Sequence, residues 1–259
     1  GRSGDAQIQR LLVDRFAAEL HRLVSGWIEL DCGLSVAPGM VRGLLIEILR
    51  VATAQIEQFR GEESVRNWIY RLAVQQLKKY RRSKFNCGNP QQVAEDATLK
   101  QMYQLSRPYR TLLWLRYGIG VSLPECAAIL GEPVTKVGKR LHFARSKLLT
   151  GIFSGAQEDA CKACVEFLLE RSDGMLMHQG EAYAQFEEHL EQCSSCQRDA
   201  IRLSEFEQAL SGEMNQRWPL PILSEAALLE LNAAIPIRPE KHSPPLLASS
   251  WIKAGWTGL

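Results

Sequence analysis

The spacing of hydrophobic residues predicts α-helices along almost the whole chain. Between residues 6 and 30, apolar side chains recur every three or four positions, which is the period of one face of an α-helix. No stretch shows an alternation of apolar and polar residues long enough to build a β-sheet. The pattern therefore predicts an all-α protein. The same period predicts further helices at 40–57, 64–84, 92–105, 107–117, 123–130, 134–150 and within 158–211.

Clusters of glycine and proline divide the helical pattern into several domains. Gly33, Pro38 and Gly39 interrupt it early, and residues 86–91 have the composition of a linker. Six prolines are spread over the C-terminal part, where one short helix is predicted near 224–234. Three small helical domains and a proline-rich tail are expected. Their predicted bounds are 1–85, a linker at 86–98, 99–153, 154–213 and 214–259 for the tail.

The formal net charge of +2 hides a strong asymmetry along the chain. Residues 157–213 contain 13 acidic and four basic residues, a balance of −9, which leaves +11 for the remainder. An acidic module beside a basic one indicates two partners of opposite charge, or two modules that bind each other.

Three further patterns limit the class of protein. No run of 18 apolar residues exists, so no transmembrane helix is predicted, and a cytoplasmic location is expected. The seven cysteines are clustered late in the chain, which favours metal ligands in a reducing compartment over disulfides. No glycine-rich phosphate loop, nucleophile elbow or convincing pair of catalytic carboxylates occurs, so the chain is not predicted to be an enzyme.

Residues 122–149 have the pattern of a helix-turn-helix. Ser122 and Glu125 have the spacing of a capping box at the start of a first helix, and residues 131–133 form a short turn. The second helix contains no acid, and such a helix can enter the major groove of DNA. A solvated basic face on an ordinary bundle helix gives the same pattern. The apolar face of the second helix has Val134, Val137, Leu141, Ala144 and Leu148, and the other face has Thr135, Lys136, Lys139, Arg140, His142 and Arg145.

Residues 107–149 resemble region 4 of bacterial sigma factors. The most telling part is the sequence from Arg140 to Leu148, Arg-Leu-His-Phe-Ala-Arg-Ser-Lys-Leu. In that family the domain recognises the −35 promoter element. The resemblance implies that DNA is contacted by Thr135, Lys136, Lys139 and Arg140.

A second basic helix is predicted upstream, at 64–84. It contains seven lysines or arginines and no acid, with Trp68, Tyr70 and Tyr80 interleaved, a combination that suits single-stranded DNA. Trp68 is expected in the core. The pattern Phe-Arg-Gly-Glu-x-Ser-x-x-x-Trp-Ile-Tyr-Arg-Leu-Ala from Phe59 resembles sigma region 2, which recognises and melts the −10 element. The resemblance implies a flipped base in the loop 59–64 and DNA contacts from Arg66, Arg71, Lys78, Lys79, Arg81 and Arg82.

The helix at 41–49 departs from that family. The family has an acidic, glutamine-bearing face here that binds the RNA polymerase core, and the resemblance implies polymerase contacts from Leu44 and Glu47. Arg42, Gly43 and Ile46 stand where polar residues are expected. The alternative to a working sigma factor is therefore a degenerate, sigma-like regulatory or scaffolding protein that does not support initiation.

The cysteines and one histidine form a metal-ligand pattern. Cys161-x2-Cys164 is followed by His189-x3-Cys193-x2-Cys196, and zinc takes four such ligands in a tetrahedron. Reduced cysteines scattered in a helical domain are the alternative. The sequence from Cys161 to Asp173, together with the His-Leu-Glu-Gln-Cys-Ser-Ser-Cys motif, resembles a zinc-binding anti-sigma domain. The resemblance implies the ligands Cys161, His189, Cys193 and Cys196, with Cys164 as an alternative ligand or spare thiol and His178 in a loop.

Together these segments resemble an extracytoplasmic-function sigma factor that carries its own zinc-binding anti-sigma domain. The implied partners are the RNA polymerase core, promoter DNA and an intramolecular contact between the two parts. The implied cofactor is Zn²⁺, held either as a structural ion or as a redox- or metal-sensitive switch that relieves autoinhibition.

Overall fold

A computed structural model describes residues 2–32, 37–84, 97–149, 159–174 and 180–235. Every regular element in these ranges is a helix, so the all-α prediction is confirmed. His178 and the predicted linker at residues 86–91 lie outside the described residues. The α-helices are α1 Arg2–Cys32, α2 Pro38–Gln55, α3 Val65–Lys84, α4 Ala97–Gln104, α5 Arg107–Leu113, α6 Leu123–Leu130, α7 Val134–Leu148, α8 Asp159–Ser172, α9 Glu181–Gln192, α10 Ser194–Arg217 and α11 Glu225–Ala234.

The chain divides into two compact units. The first unit comprises residues 1–90, 128–131 and 218–259, and the second comprises residues 91–127 and 132–217.

The first unit is built on α1, α2 and α3, whose apolar faces bury one another. Leu20, Ile48 and Ile69, one from each helix, are completely shielded from solvent. Trp68 is also buried, as predicted, and its ring lies 5.4 Å from that of Phe59. The three-residue and four-residue spacing of apolar side chains is therefore explained by a shared core.

Part of the predicted tail belongs to this first unit. Helix α11 forms where a helix was predicted and packs against α1 and α2. The Trp218 indole Nε1 donates a hydrogen bond to the buried Glu29 carboxylate at 3.0 Å, and the Gln9 amide donates to the Asn232 carbonyl at 2.8 Å. Leu231 of α11 is buried.

In the second unit, α4 buries Met102 and Tyr103, and α5 continues into a π-helical turn over Trp114–Gly118. The Trp114 side chain is fully buried and lies directly over the Gly118 Cα, where a side chain would meet the indole. The turn is closed by an i→i+5 hydrogen bond from the Ile119 N–H to the Trp114 carbonyl at 2.9 Å.

Helices α6 and α7 form the predicted helix-turn-helix. The Ser122 backbone N–H donates to the Glu125 carboxylate at 2.7 Å, and the Glu125 N–H lies 3.4 Å from the Ser122 hydroxyl, which confirms the capping box. Gly131 has a φ of +68°, a left-handed conformation that favours glycine in the turn. Helices α8, α9 and α10 pack around an apolar cluster that includes Leu168, Phe186 and Leu203.

Candidate functional site

Four of the side chains predicted to contact DNA lie in the first two turns of α7. Thr135, Lys136 and Lys139 are exposed, and Arg140 is partly buried. Glu132, in the turn before α7, accepts hydrogen bonds from Arg140 and from Lys136, the latter at 3.0 Å. The hydrogen bond from Arg140 is the main reason that the pKa of Glu132 lies below its usual range. The ionised Glu132 therefore forms ion pairs with Lys136 and Arg140, two of the four side chains of α7 that were predicted to contact DNA.

Arg145 is not on the exposed face of α7, and that part of the prediction is wrong. Its side chain is 0% exposed. Burial would lower the pKa of Arg145, but the neighbouring Tyr117, Asp173 and Glu207 outweigh that effect and hold the guanidinium charged. Its hydrogen bonds reach the Ser172 hydroxyl at 2.6 Å, the Glu207 carboxylate at 3.0 Å, the Leu169 carbonyl at 3.2 Å, the Tyr117 hydroxyl at 3.5 Å and the Asp173 carboxylate.

Several cations predicted on α3 are paired within the first unit. Arg66 donates to Glu19 at 3.1 Å, Arg71 donates to Glu63, and Arg81 donates to Asp31 at 3.3 Å. Lys79 is exposed and Lys78 is partly buried. Arg82 lies in α3, but its side chain is outside the described residues. These arginines therefore stabilise the fold around α3 as well as adding positive charge.

The two residues predicted to contact polymerase lie on α2 in different settings. Leu44 is 4% exposed and packs in the core of the first unit. Glu47 is partly exposed and accepts a hydrogen bond from Arg50 at 2.7 Å. That hydrogen bond is the main reason for the lowered pKa of Glu47.

The predicted metal ligands converge at one point of the second unit. Cys161 lies in the first turn of α8, His189 in the last turn of α9, Cys193 between α9 and α10, and Cys196 in the first turn of α10. The ligand atoms of all four residues lie within 4.8 Å of one another. The Cys161 Sγ is 3.5 Å from the His189 Nε2 and 3.9 Å from the Cys193 Sγ, and the His189 Nε2 is 3.3 Å from the Cys196 Sγ.

These distances fit the edges of a tetrahedral site. With metal–sulfur bonds near 2.3 Å and metal–nitrogen bonds near 2.0 Å, the edges are about 3.8 Å between sulfurs and about 3.5 Å between sulfur and nitrogen. Backbone N–H groups of Cys196 and Ser195 help to lower the pKa of the Cys193 thiol, whereas burial raises the pKa of the Cys196 thiol, so the support for a metal site comes from the distances. The Cys3His cluster could therefore hold a metal ion. Cys164 is buried and is not one of the four clustered ligands.

The comparisons with known proteins agree with the helix-turn-helix. Residues 96–148 match the family model described as Sigma-70, region 4. The chain is also 28% identical over 173 residues to the ECF RNA polymerase sigma-E factor of Escherichia coli K12, and equally to that of Salmonella typhimurium LT2. Each alignment covers 56% of this chain and 86% of the relative. No solved structure matches the chain.

The α6–α7 helix-turn-helix falls within the segment that is similar to sigma-70 region 4. The two sequence similarities support, more specifically, a sigma factor of the extracytoplasmic-function (ECF) type. Sigma factors are not enzymes, in agreement with the prediction. Among the described residues, no helix is long and apolar enough to cross a membrane.

Proposed function

We propose that this chain is a cytoplasmic ECF-type sigma factor that directs the RNA polymerase core to specific promoters. The observation that carries the proposal is the α6–α7 helix-turn-helix, because it coincides with the segment that matches sigma-70 region 4. The exposed Thr135, Lys136 and Lys139 lie at the start of α7, the part of such a helix that meets base edges and phosphates. This surface would bind the −35 element.

The first unit would bind the −10 element. Its proposed DNA surface combines the exposed Lys79 with the loop that precedes α3. Gly61 turns that loop with a φ of +76°, and Phe59 rests against the buried Trp68. A loop that is held by the Phe59–Trp68 contact and lies beside a basic helix would be suited to binding a base that has flipped out of the DNA duplex.

Replacing Glu132 with glutamine is expected to strengthen DNA binding several-fold, because it releases Lys136 and Arg140 to pair with phosphates. Each added phosphate contact steepens the dependence of log K on log salt concentration by about 0.9. The measurement is a fluorescence-anisotropy titration of the full chain with duplex DNA at several salt concentrations. Glu205→Gln, which removes an exposed acid on α10, is the matched control. Equal changes in both variants would show that net charge alone, and not release of the two cations, is responsible.

We further propose that Cys161, His189, Cys193 and Cys196 bind Zn²⁺ and that the C-terminal part restrains the sigma activity. Three sulfurs and one nitrogen at tetrahedral spacing are the donor set that zinc prefers. The ion would cross-link the ends of α8, α9 and α10. Support for a restraint comes from the −9 balance of residues 157–213 and from α11, which packs against α2, the helix with the predicted polymerase contact Glu47. Loss of zinc or oxidation of the thiols would relieve the restraint.

Binding to the polymerase core tests the sigma function. A working sigma factor forms a stoichiometric complex with core enzyme in gel filtration. The alternative, a sigma-like regulator that does not initiate transcription, is favoured by the Glu47–Arg50 pair and by the altered polar face of α2. Absence of a complex for both the full chain and Arg50→Gln, which frees Glu47, even after zinc is removed, would support that alternative.

A further inference from the structure

The two carboxylates that hold Arg145 lie on helices that also carry metal ligands. Helix α8 has Cys161 in its first turn, and Asp173 follows directly after its last residue. Helix α10 has Cys196 in its first turn and Glu207 further along. At 1.5 Å per residue, Cys161 and Asp173 lie roughly 18 Å apart along α8, a distance that a helix spans without bending. A movement of the metal ligands would therefore be carried along these helices to Arg145.

Arg145 depends on these partners because it has no access to water. A charged side chain that is fully buried is tolerated only when it is paired and hydrogen-bonded. If Asp173 and Glu207 move away, α7 must shift or loosen to bring the guanidinium back to solvent. Arg145 lies on α7, the helix that also presents Lys136 and Lys139.

Apolar packing also connects the C-terminal end of α7 to helices α8, α9 and α10. Leu149, the residue after α7, is buried in the cluster formed by Leu168, Leu169, Phe186 and Leu203 of α8–α10. The C-terminal end of α7 is thus held by both charge pairing and apolar contact with the helices that surround the metal ligands.

We propose that Arg145 makes the order of α7 depend on the metal centre, so that the metal-bound α8–α10 bundle supports the DNA-binding helix as an integral part of its domain. The bundle would then do more than restrain the sigma activity. Removing it, or its metal, would loosen the same helix that binds DNA. The link to DNA binding rests on the proposed function, whereas the coupling itself can be measured without DNA.

Hydrogen–deuterium exchange of the full chain tests the coupling. In the zinc-loaded protein, Asp173→Asn is expected to speed amide exchange in residues 134–148 at least about tenfold, because Arg145 loses a charged partner. Arg171→Gln is the matched control, since it breaks the exposed Arg171–Glu187 pair near the same end of α8. Peptides from α3 in the first unit serve as an internal reference and are expected to remain unchanged.

The wild-type chain gives a second measurement that needs no substitution. Removal of zinc with a chelator is expected to speed exchange in residues 134–148 together with α8–α10, and re-addition of Zn²⁺ alone is expected to restore protection. Unchanged exchange in residues 134–148, while α8–α10 lose protection, would overturn the proposal. If the Asp173→Asn variant does not fold, the zinc-removal experiment on the wild-type chain alone tests the coupling between the metal site and α7. A chain that shows the coupling but does not bind polymerase would refute only the sigma function.

Discussion

Replacing Gly118 with alanine is expected to lower the free energy of unfolding of the second unit by about 3 kcal/mol, at the upper end of what overpacking costs. A Cβ atom at this position would lie 1.9 Å from the Trp114 Cε3 atom, far inside van der Waals contact. The indole is fully buried, so it has no open space into which to move. Either the ring or the π-helical turn must be displaced, and both form the core beneath the helix-turn-helix.

Gly138→Ala is the matched control for this substitution. It lies within α7 of the same unit, and its added Cβ would be 3.5 Å from the Leu123 Cδ2, an ordinary contact. Alanine is favoured over glycine inside a helix by about 1 kcal/mol, so this variant is expected to equal or exceed the wild type in stability. Urea unfolding followed by circular dichroism compares the two. Similar midpoints for both variants would contradict the packing described around Trp114.

Replacing Cys193 with serine is expected to abolish tight zinc binding and to unfold the α8–α10 bundle. Structural zinc sites contribute about 10 kcal/mol or more to the folding of small domains, and a site that loses one of four ligands keeps little of this. Cys193 lies between α9 and α10, where it would share the proposed ion with Cys161, His189 and Cys196 of the three helices. The measurement is zinc content by mass spectrometry, with helicity by circular dichroism.

Replacing Cys164 with serine tests whether Cys164 is a metal ligand. Cys164 is buried beside the site but is not one of the four clustered residues. This variant is expected to keep one zinc ion per chain, with a modest loss of stability from the polar hydroxyl. If Cys164→Ser loses zinc and Cys193→Ser retains it, the ligand set proposed for the site is wrong.

The local features of this chain could be predicted because they depend on short spacings. The capping box needs only Ser122 and Glu125, three residues apart, and α11 follows from local helical periodicity. The proposed metal ligands His189, Cys193 and Cys196 also lie within two helical turns, and only Cys161 comes from a distant segment. An i, i+4 spacing between Glu132 and Lys136 was a further signal of the observed ion pair.

The burial of Arg145 could not be predicted in this way. Its spacing from Leu141 and Leu148 places it at the edge of the apolar face of α7, but an arginine is expected in solvent, and its partners Asp173 and Glu207 are 28 and 62 residues away in sequence. Likewise, the sequence around Trp218 does not specify that its indole hydrogen-bonds to Glu29, 189 residues earlier. These contacts are fixed by tertiary packing, which overrides what a residue's class suggests about its exposure.

Run-off transcription with the purified polymerase core tests the central claim most directly. Three full-length proteins are compared on a set of genomic promoters: the wild type, Leu231→Asp and Leu229→Asp. Leu231 of α11 is buried at 5% exposure, whereas Leu229 on the same helix is 51% exposed, so only the first substitution should detach α11 from α1 and α2. The account predicts initiation at a defined subset of promoters, increased several-fold by Leu231→Asp and unchanged by Leu229→Asp. Failure of all three proteins to initiate at any promoter would contradict it.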